Sequence, residues 1–344
     1  MTQAVSLNQI LSRNAHQVVG VLIGKNQHRS LPDFFPAAFN APVIQAQSPG
    51  FVFKENKGVS LPGTTIGALR SLNEFKSSLD RLEKLIAETR PDLIVNFLEP
   101  LTGLLKLFGR CPVPVISVGH QFMMEHPKNF SPRGFFLQKP LMRQFVKLAG
   151  TGSTRVALSY ATVEDLPEKK LYIAPPLLRS QLFEQKPVFG DYILVYLVNH
   201  GYAADVICWH QAHPDVPIHC FYDKPGSKPV DHYDDKLIFH ALDGEKFLTM
   251  MAGCRAVVCT AGFESVAEAH YLGKPLMCIP LENHVEQSMN AIEAQERGLG
   301  IRDSKFNIDC LLNCPPPHVN GFRSWVDSAE AVFLRVIKIV TEKP

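Results

Sequence analysis

The densest chemical signal in the sequence is the run from Cys259 to Glu268, which reads Cys-Thr-Ala-Gly-Phe-Glu-Ser-Val-Ala-Glu. A buried strand is predicted to end at Cys259 and a helix to begin directly after Gly262. Free backbone N–H groups and the positive end of the helix dipole should therefore face the turn. Because glycine lets a ligand approach the backbone closely, the turn is a candidate seat for a diphosphate. Glu268 lies further along the helix and could accept hydrogen bonds from a ribose. On the turn alone, an ordinary strand-turn-helix unit with a glycine for tight packing explains the pattern equally well.

A second group of polar residues follows the next predicted strand. The helix should end at Gly273-Lys274-Pro275, and the apolar run 276–279 should form a strand. The following loop and helix start carry the amide side chains Gln287 and Asn290. Because parallel strands end at the same edge of a sheet, these amides should lie beside the first turn, where they would suit sugar hydroxyls.

Two predicted strands of the first half also end in polar residues. Glu99 follows the strand at 93–97, and His120 with Gln121 follows the strand at 113–118. We expect these side chains to face a cleft between two domains, with Glu99 and His120 as the catalytic candidates. His120 could act as a base at neutral pH. A structural histidine bonded to the backbone explains that residue equally well.

The order Gly-x5-Glu, Gly-x-Pro, strand, Pro and Gln-x-x-Asn-Ala resembles the donor-binding signature of UDP-sugar glycosyltransferases. It looks most like the family that adds GlcNAc to lipid-linked muramyl-pentapeptide (glycosyltransferase family 28) and its uncharacterised bacterial and archaeal relatives. The resemblance is specific over about residues 237–300 and implies a two-lobed GT-B fold. It implies that the diphosphate is held by Gly262, Phe263, Glu264 and Ser265, the ribose by Glu268, and the donor sugar by Gln287 with Asn290 beside it. Asn199 and His240, at the ends of two further predicted strands, complete the predicted donor site.

Two positions depart from that family. It carries a pair of glutamines before the asparagine, and Glu286 stands at the first of them, which leaves the donor sugar open. The family also opens with a strand and a glycine-rich loop, and Thr2-Gln3-Ala4 resembles the residues just after that loop. We therefore expect that the first lobe lacks its first strand and loop, either through a start assigned too late, downstream of the true one, or through truncation.

The elements that must position these residues alternate between strand and helix, which is typical of parallel sheets flanked by helices. The 344 residues fit two domains, and the prolines at 175 and 176 indicate a hinge. We predict an α/β protein with two Rossmann-like lobes. Residues 1–176 form the acceptor-side lobe, 177–323 form the nucleotide-sugar-binding lobe, and 324–344 form a helix that packs back on the first lobe.

Composition excludes several classes of protein. A hydrophobic fraction of 46% can bury full cores, and a net charge of +2 does not indicate a nucleic-acid binder. The eight cysteines form no CxxC pair and are interpreted as reduced thiols. No signal peptide or spanning apolar run is recognised, so we expect a cytoplasmic protein. The segment 122–152 mixes phenylalanines with bases, and is either a solvated helix face or a surface for an acidic membrane or a lipid-linked acceptor.

The preferred function is the transfer of a hexose from a nucleotide diphosphate sugar, UDP-linked by resemblance, to an acceptor hydroxyl. The reaction would be a direct displacement without a metal or other cofactor, because the helix N-terminus would stabilise the departing diphosphate. A UDP-sugar epimerase on the same fold and an inactive nucleotide-sugar-binding protein are the alternatives. The donor sugar, the acceptor, the anomeric outcome and the oligomeric state stay open.

Overall fold

The computed structural model of the protein describes residues 1–24, 31–48, 72–198 and 200–342, and gives only the backbone of residues 72 and 73. Within these ranges, parallel strands alternate with helices along the chain. Short buried apolar runs form the strands, and longer stretches with an apolar stripe form the helices. The prediction of a mixed α/β fold is confirmed.

The described part of the first lobe contains the strands β1 (Val21–Gly24), β2 (Val43–Ala46), β3 (Ile94–Asn96), β4 (Val115–Val118), β5 (Thr154–Leu158) and β6 (Leu171–Ala174), and the helices α1 (Thr2–Arg13), α2 (Phe34–Ala37), α3 (Leu72–Thr89), α4 (Pro100–Leu107) and α5 (Gln138–Ala149). β1 and β2 form a parallel pair, and the other strands form a parallel sheet in the order β3-β4-β5-β6. β4 is buried along its whole length, as expected for a central parallel strand with both faces covered.

Helices α4 and α5 pack against each other at Gly103. A Cβ atom placed on Gly103 would come within 1.8 Å of the backbone oxygen of Leu148, so only glycine allows this approach. α5 begins only at Gln138. A short 3-10 turn at His120–Glu125 and an irregular stretch therefore occupy much of the segment 122–152, which sequence analysis interpreted either as a solvated helix face or as a surface for a membrane or a lipid-linked acceptor.

The described part of the second lobe contains the strands β7 (Ile193–Leu197), β8 (Ile218–Tyr222), β9 (Val230–His232), β10 (Leu237–His240), β11 (Ala256–Cys259), β12 (Leu276–Cys278) and β13 (Ile301–Arg302), and the helices α6 (Ser180–Phe183), α7 (Ala203–Ala212), α8 (Gly244–Gly253), α9 (Phe263–Tyr271), α10 (Val285–Glu296) and α11 (Asp309–Leu312). The sheet order is β13-β12-β11-β7-β8-β10-β9. Buried apolar runs in the sequence predict five of these strands, but not the two edge strands: β9, which pairs antiparallel with β10, and the short β13.

This order places a topological switch point in the second sheet. From β7 the chain moves outward to β8 and β10, and it then returns to the other side of β7 to form β11 and β12. In doubly wound sheets, ligands bind in the crevice outside the carboxyl ends of the strands at such a point. The turn that follows β11 is therefore at the position where this topology favours a ligand.

The described chain ends with two helices where sequence analysis predicted one over 324–344. α12 (Asn320–Asp327) and α13 (Ala329–Thr341) are separated at Ser328, so that prediction was wrong in its bounds. α13 packs against β4 and β6 of the first lobe. An ion pair of 2.8 Å between Arg335 and Asp165 lies at the same contact.

The two lobes share apolar packing. One hydrophobic cluster includes Ile116 and Val156 from the first sheet, Leu194 and Val257 from the second, and Val336 from α13. The predicted hinge is itself part of this packing, because the side chains at 175–178 are buried rather than exposed. Among the helices of the described ranges, none combines the length and the apolar character needed to cross a bilayer.

Candidate active site

The turn between β11 and α9 presents backbone groups to the space between the lobes. Ala261 adopts a left-handed backbone with a φ of 55°, and Gly262 then begins the helix with a φ of −65° and a ψ of 137°. The N-cap residue Gly262 makes no side-chain cap, and no other side chain of the described ranges is bonded to the first N–H groups of this helix. Among the described residues, a Cβ atom on Gly262 would meet only the Ser265 hydroxyl, at 3.6 Å, so these residues leave room there. Uncapped N–H groups beside open space suit an anion.

Both predicted amide side chains hold loop backbones at this edge of the sheet. Asn290 is fully buried and donates from Nδ2 to the carbonyl of Ala261 at 2.9 Å, which fixes the left-handed turn. Its Oδ1 atom has no hydrogen-bond partner within the described ranges. Gln287 accepts at Oε1 from the backbone N–H of Leu281 at 2.8 Å. One polar atom of Asn290 therefore positions the predicted donor turn, and one polar atom of Gln287 positions the loop that follows β12.

Glu268 is buried and is bonded to a residue that sequence analysis missed. Its two carboxylate oxygens accept from Nε and Nη2 of Arg179, each at 2.6 Å. Arg179 also donates from Nη1 to the carbonyl of Gly244 at 2.9 Å. A bidentate guanidinium fixes the orientation of a carboxylate. Any ribose hydroxyl that binds Glu268 would therefore share this carboxylate with Arg179.

Glu264 and Phe263, the first residues of α9, both point toward the first lobe. The Glu264 carboxyl accepts a hydrogen bond from the backbone of Gln3 at the start of α1, and burial raises its pKa. The Phe263 ring stacks on His120 at 4.3 Å and on Tyr160 at 4.5 Å between centroids. The Tyr160 hydroxyl donates to the Phe263 carbonyl at 3.2 Å. The predicted diphosphate turn is thus in direct contact with the first lobe.

His120 lies at the carboxyl end of β4 and is almost fully buried. Its Nδ1 atom is 2.8 Å from the carbonyl oxygen of Leu158. Because a carbonyl can only accept, Nδ1 carries a proton, and neutral His120 therefore has its lone pair on Nε2. Nε2 has no hydrogen-bond partner within the described ranges and lies 3.5 Å from a carboxylate oxygen of Glu293 on α10. His120 therefore makes the backbone hydrogen bond expected of a structural histidine. It is also in the tautomer that a base requires, with Nε2 unprotonated.

Glu99 is the N-cap of α4. Its carboxylate accepts from the backbone N–H of Leu101 at 3.2 Å and from the hydroxyl of Ser48, and burial raises its pKa. The side chain therefore lies at the carboxyl ends of β2 and β3. A cap of this kind is a sufficient structural reason for an acidic residue at this position.

His240 ends β10 with both ring nitrogens engaged inside the second lobe. Lys246 donates to its Nδ1 at 3.1 Å, so Nε2 carries the proton that is shared with Nδ1 of His219 at 2.9 Å. Burial lowers the pKa of His240 to about 4. Asn199, the other predicted donor residue at a strand end, lies outside the described residues.

A narrow cavity between the lobes gathers several of the predicted residues. It is lined by His120, Gln121, Met124, Met142, Glu286, Met289 and Asn290. Glu99 is not among them. Arg179, Tyr160 and Glu293 were missed by sequence analysis. Of these three residues, only Glu293 could have been predicted from the sequence, because it follows Gln287 and Asn290 at steps of three and so lies on the same face of α10.

The two lobes, with the turn between β11 and α9 at their contact, have the GT-B type of glycosyltransferase fold. The chain belongs to glycosyl transferase family 1, whose sequence model matches residues 6–312. An uncharacterized glycosyltransferase of Methanosarcina acetivorans is 27% identical over 244 residues. That match covers 65% of this chain and 62% of the relative, so it spans less than two thirds of the relative's length.

Solved structures agree on the fold across nearly the whole chain. UGT71G1 of Medicago truncatula, complexed with UDP-glucose, is 11% identical with a TM-score of 0.65, and the match covers 99% of this chain and 95% of that one. UGT2 of Phytolacca americana, complexed with UDP-2fluoro-glucose and pterostilbene, is 14% identical with a TM-score of 0.60 and coverages of 99% and 96%. At these identities the likeness concerns the fold. The closer resemblance to the muramyl-pentapeptide transferases stays a prediction.

Proposed function

We propose that this protein transfers a hexose from a UDP-linked sugar to an acceptor hydroxyl. One observation carries the proposal. The uncapped N-terminus of α9 lies at the switch point of the second sheet, in contact with His120 of the opposite lobe. A diphosphate at this N-terminus would place the sugar between the lobes, where a base from the first lobe can reach an acceptor.

The proposed reaction is a direct displacement at the anomeric carbon. His120 takes the acceptor proton at Nε2, since Nδ1 already holds a proton against Leu158. The backbone N–H groups at 262–265 and the helix dipole stabilise the diphosphate as it leaves, so the chemistry requires no metal. Glu268 accepts from the ribose, and Gln287 contacts the donor sugar.

The comparisons support the part of this proposal that concerns glycosyl transfer from a sugar donor. The Methanosarcina relative carries a glycosyltransferase name, and the two plant structures hold UDP-sugars. The sequence resemblance adds the expectation of a UDP-linked donor and leaves the hexose open at Glu286.

The first test is UDP binding by isothermal titration calorimetry. Glu268→Gln keeps the shape of the side chain but removes its charge, and we expect UDP affinity to weaken by about 1–3 kcal/mol, the cost of losing a charged hydrogen-bond partner. Glu296→Gln, at an exposed glutamate that ends α10, is the control and should bind like the wild type. Equal UDP affinity in Glu268→Gln and wild type would reject the donor assignment.

The second test is turnover with and without EDTA. UDP release from UDP-glucose or UDP-GlcNAc, in the presence of hydroxylated acceptors, should survive the chelator. Conversion of UDP-GlcNAc to an epimer without an acceptor would favour the epimerase. UDP binding without any turnover would favour an inactive binding protein.

We also propose that the segment 122–152 contacts an acidic membrane, which would suit a lipid-linked acceptor. Residues 126–152 carry five basic and no acidic side chains. Phe136 is 88% exposed and Leu137 is 68% exposed at the start of α5. Exposed apolar side chains among bases are the pattern of interfacial helices on anionic lipid.

A further inference from the structure

A cavity of about 240 Å³ lies where the chain crosses between the lobes. Three segments line it: one face of α1, the hinge with α6 at 176–183, and the junction of α12 and α13 at 326–330. The last two of these segments carry the chain from one lobe to the other, so we call this space the connector cavity. It shares no lining residue with the narrow cavity beside His120.

The floor of the connector cavity is apolar and well packed. It is formed by Ile10, Leu177, Leu178 and Val326, each of which is at most 6% exposed. An apolar cavity of about 150 Å³ is large enough to hold benzene. The connector cavity therefore has room for a six-membered ring with a short side chain.

The rim of the connector cavity is polar and has an excess of negative charge. Arg13 and Glu330 form an ion pair of 3.1 Å there, so their charges balance. Asp327 also lines the rim, and no ion pair within the described ranges balances its carboxylate. The Ser180 hydroxyl accepts from Nε2 of Gln9 at 3.2 Å and still has a proton to donate. An apolar floor beside one unbalanced carboxylate suits a small organic cation.

Two of the lining segments also reach the predicted donor turn. At the start of α1, the backbone of Gln3 donates to the carboxyl group of Glu264 on α9. Ser180 directly follows Arg179, whose guanidinium holds both carboxylate oxygens of Glu268 at 2.6 Å. A shift of α1 or of the start of α6 would therefore be passed on to two carboxyl groups of α9.

We propose that the connector cavity is an effector site: it binds a small organic ammonium ion that carries an apolar ring, and its occupancy raises the affinity of the donor site for UDP. The binding of the cation is independent of the proposed function, whereas the effect on UDP rests on it.

The direction of the effect follows from the contacts of α1 and the hinge. A cation in the cavity would hold these segments in the arrangement that the structure describes, with Glu264 bonded to Gln3 and Glu268 oriented by Arg179. Ordering these groups in advance reduces the entropy that the donor site loses when UDP binds. The coupling is reciprocal, so UDP should raise the affinity for the cation by the same factor.

The probe is the 2-phenylethylammonium ion, and 2-phenylethanol is its uncharged counterpart. Ligand-observed NMR should show the ammonium ion binding with a Kd of about 1 mM, within the range open to a ligand of about nine heavy atoms. Saturating ammonium ion should raise UDP affinity in calorimetry about 5-fold or more, a typical size for coupling between two sites.

The deciding variant is Ala329→Leu, which fills the connector cavity from the first turn of α13. It should abolish binding of both probes, while its UDP affinity without the cation stays at the wild-type value and shows that the variant is folded. Asp327→Asn should weaken the ammonium ion about 2- to 5-fold and leave the alcohol unchanged, since an exposed ion pair contributes little. Asp215→Asn, at an exposed aspartate between α7 and β8, is the matched control and should bind both probes like the wild type.

The outcomes separate this inference from the proposed function. Absence of saturable binding, or binding that Ala329→Leu leaves intact, would overturn the site. Wild-type affinity of Asp327→Asn for the ammonium ion would overturn the assignment of a cation, and an unchanged UDP affinity at saturating cation would overturn the effector role. If UDP does not bind even without the cation, the proposed donor site fails and the effector role fails with it, whereas cation binding that is lost in Ala329→Leu still supports the site.

Discussion

Gly262 is a position where a substitution should affect the binding of a ligand without affecting the stability of the fold. Its backbone angles are ordinary, and in the part of the chain that the structure describes a methyl group there would meet only the Ser265 hydroxyl, at 3.6 Å. We therefore expect Gly262→Ala to keep the wild-type melting temperature. If the turn seats a diphosphate, the methyl group would intrude on it, and overpacking of this kind costs about 1–3 kcal/mol. UDP affinity should then fall by about 10- to 100-fold in calorimetry.

Gly321→Ala is the matched control, because a Cβ atom there meets no described residue within 4 Å and the residue lies on α12, away from the turn after β11. It should leave UDP affinity unchanged and should not lower the melting temperature, because alanine is more favourable than glycine within a helix. Unchanged UDP affinity in Gly262→Ala would place the diphosphate elsewhere.

At the scale of single residues, the sequence predicts candidate site residues better than it predicts the side chains to which they are bonded. Gln287 and Asn290 are candidates from their sequence motif; Asn290 contacts the turn after β11 and Gln287 the loop after β12, and their role toward a donor stays a prediction. The partner of Glu268 is Arg179, which is 89 positions earlier in the chain, in a segment that the sequence marked only as a hinge. Such pairs depend on how two separate elements meet, and no local pattern encodes that meeting. Glu99 shows the converse, since a helix cap is a local role that its position before Pro100 already indicates.

At the scale of elements, prediction succeeded where one physical signal dominated. The apolar stripe at 73–89 predicts a helix, which the structure gives as α3, and the apolar run 237–240 predicts a strand, which the structure gives as β10 with the same bounds. β9 was missed because its residues are exposed and show no alternation, and its pairing depends on the neighbouring strand. The break at Ser328 was missed because neither glycine nor proline marks it.

The exposed start of α5 carries a prediction of its own. Phe136→Ser combined with Leu137→Ser removes two apolar side chains that are 88% and 68% exposed, so the melting temperature should be unchanged. Binding to vesicles of anionic phospholipid should weaken about 10-fold or more, since each buried apolar side chain contributes about 1.5–3 kcal/mol. Co-sedimentation with anionic and with neutral vesicles measures this.

A control for that experiment is Phe183→Ser, at another exposed phenylalanine, which lies outside the basic segment. It should sediment with anionic vesicles like the wild type. Equal sedimentation of the double variant and the wild type would reject the membrane proposal and leave the two exposed apolar side chains without an assigned role.

For the whole molecule, the alternation of strand and helix was enough to predict two lobes, because each lobe is built from local units. How the lobes meet was not predictable from that alternation. The shared cluster around Ile116, Val257 and Val336 and the contact of Phe263 with His120 join residues that are distant in the chain. The site proposed here lies at that contact.

The stability of the whole fold should depend on pH through buried histidines. Burial lowers the pKa of His270 and of His240 to about 4, from an ordinary value of 6.5. Between these values the unfolded chain binds more protons than the folded protein, so the free energy of unfolding rises with pH and is lost as pH falls from 6.5 towards 4. Each histidine contributes at most about 1.4 kcal/mol per pH unit. Urea unfolding at several pH values should show His270→Gln with a shallower decline than the wild type, and His318→Gln, at an exposed position, with the wild-type decline. A decline in His270→Gln as steep as that of the wild type would mean that this imidazole does not resist protonation in the fold.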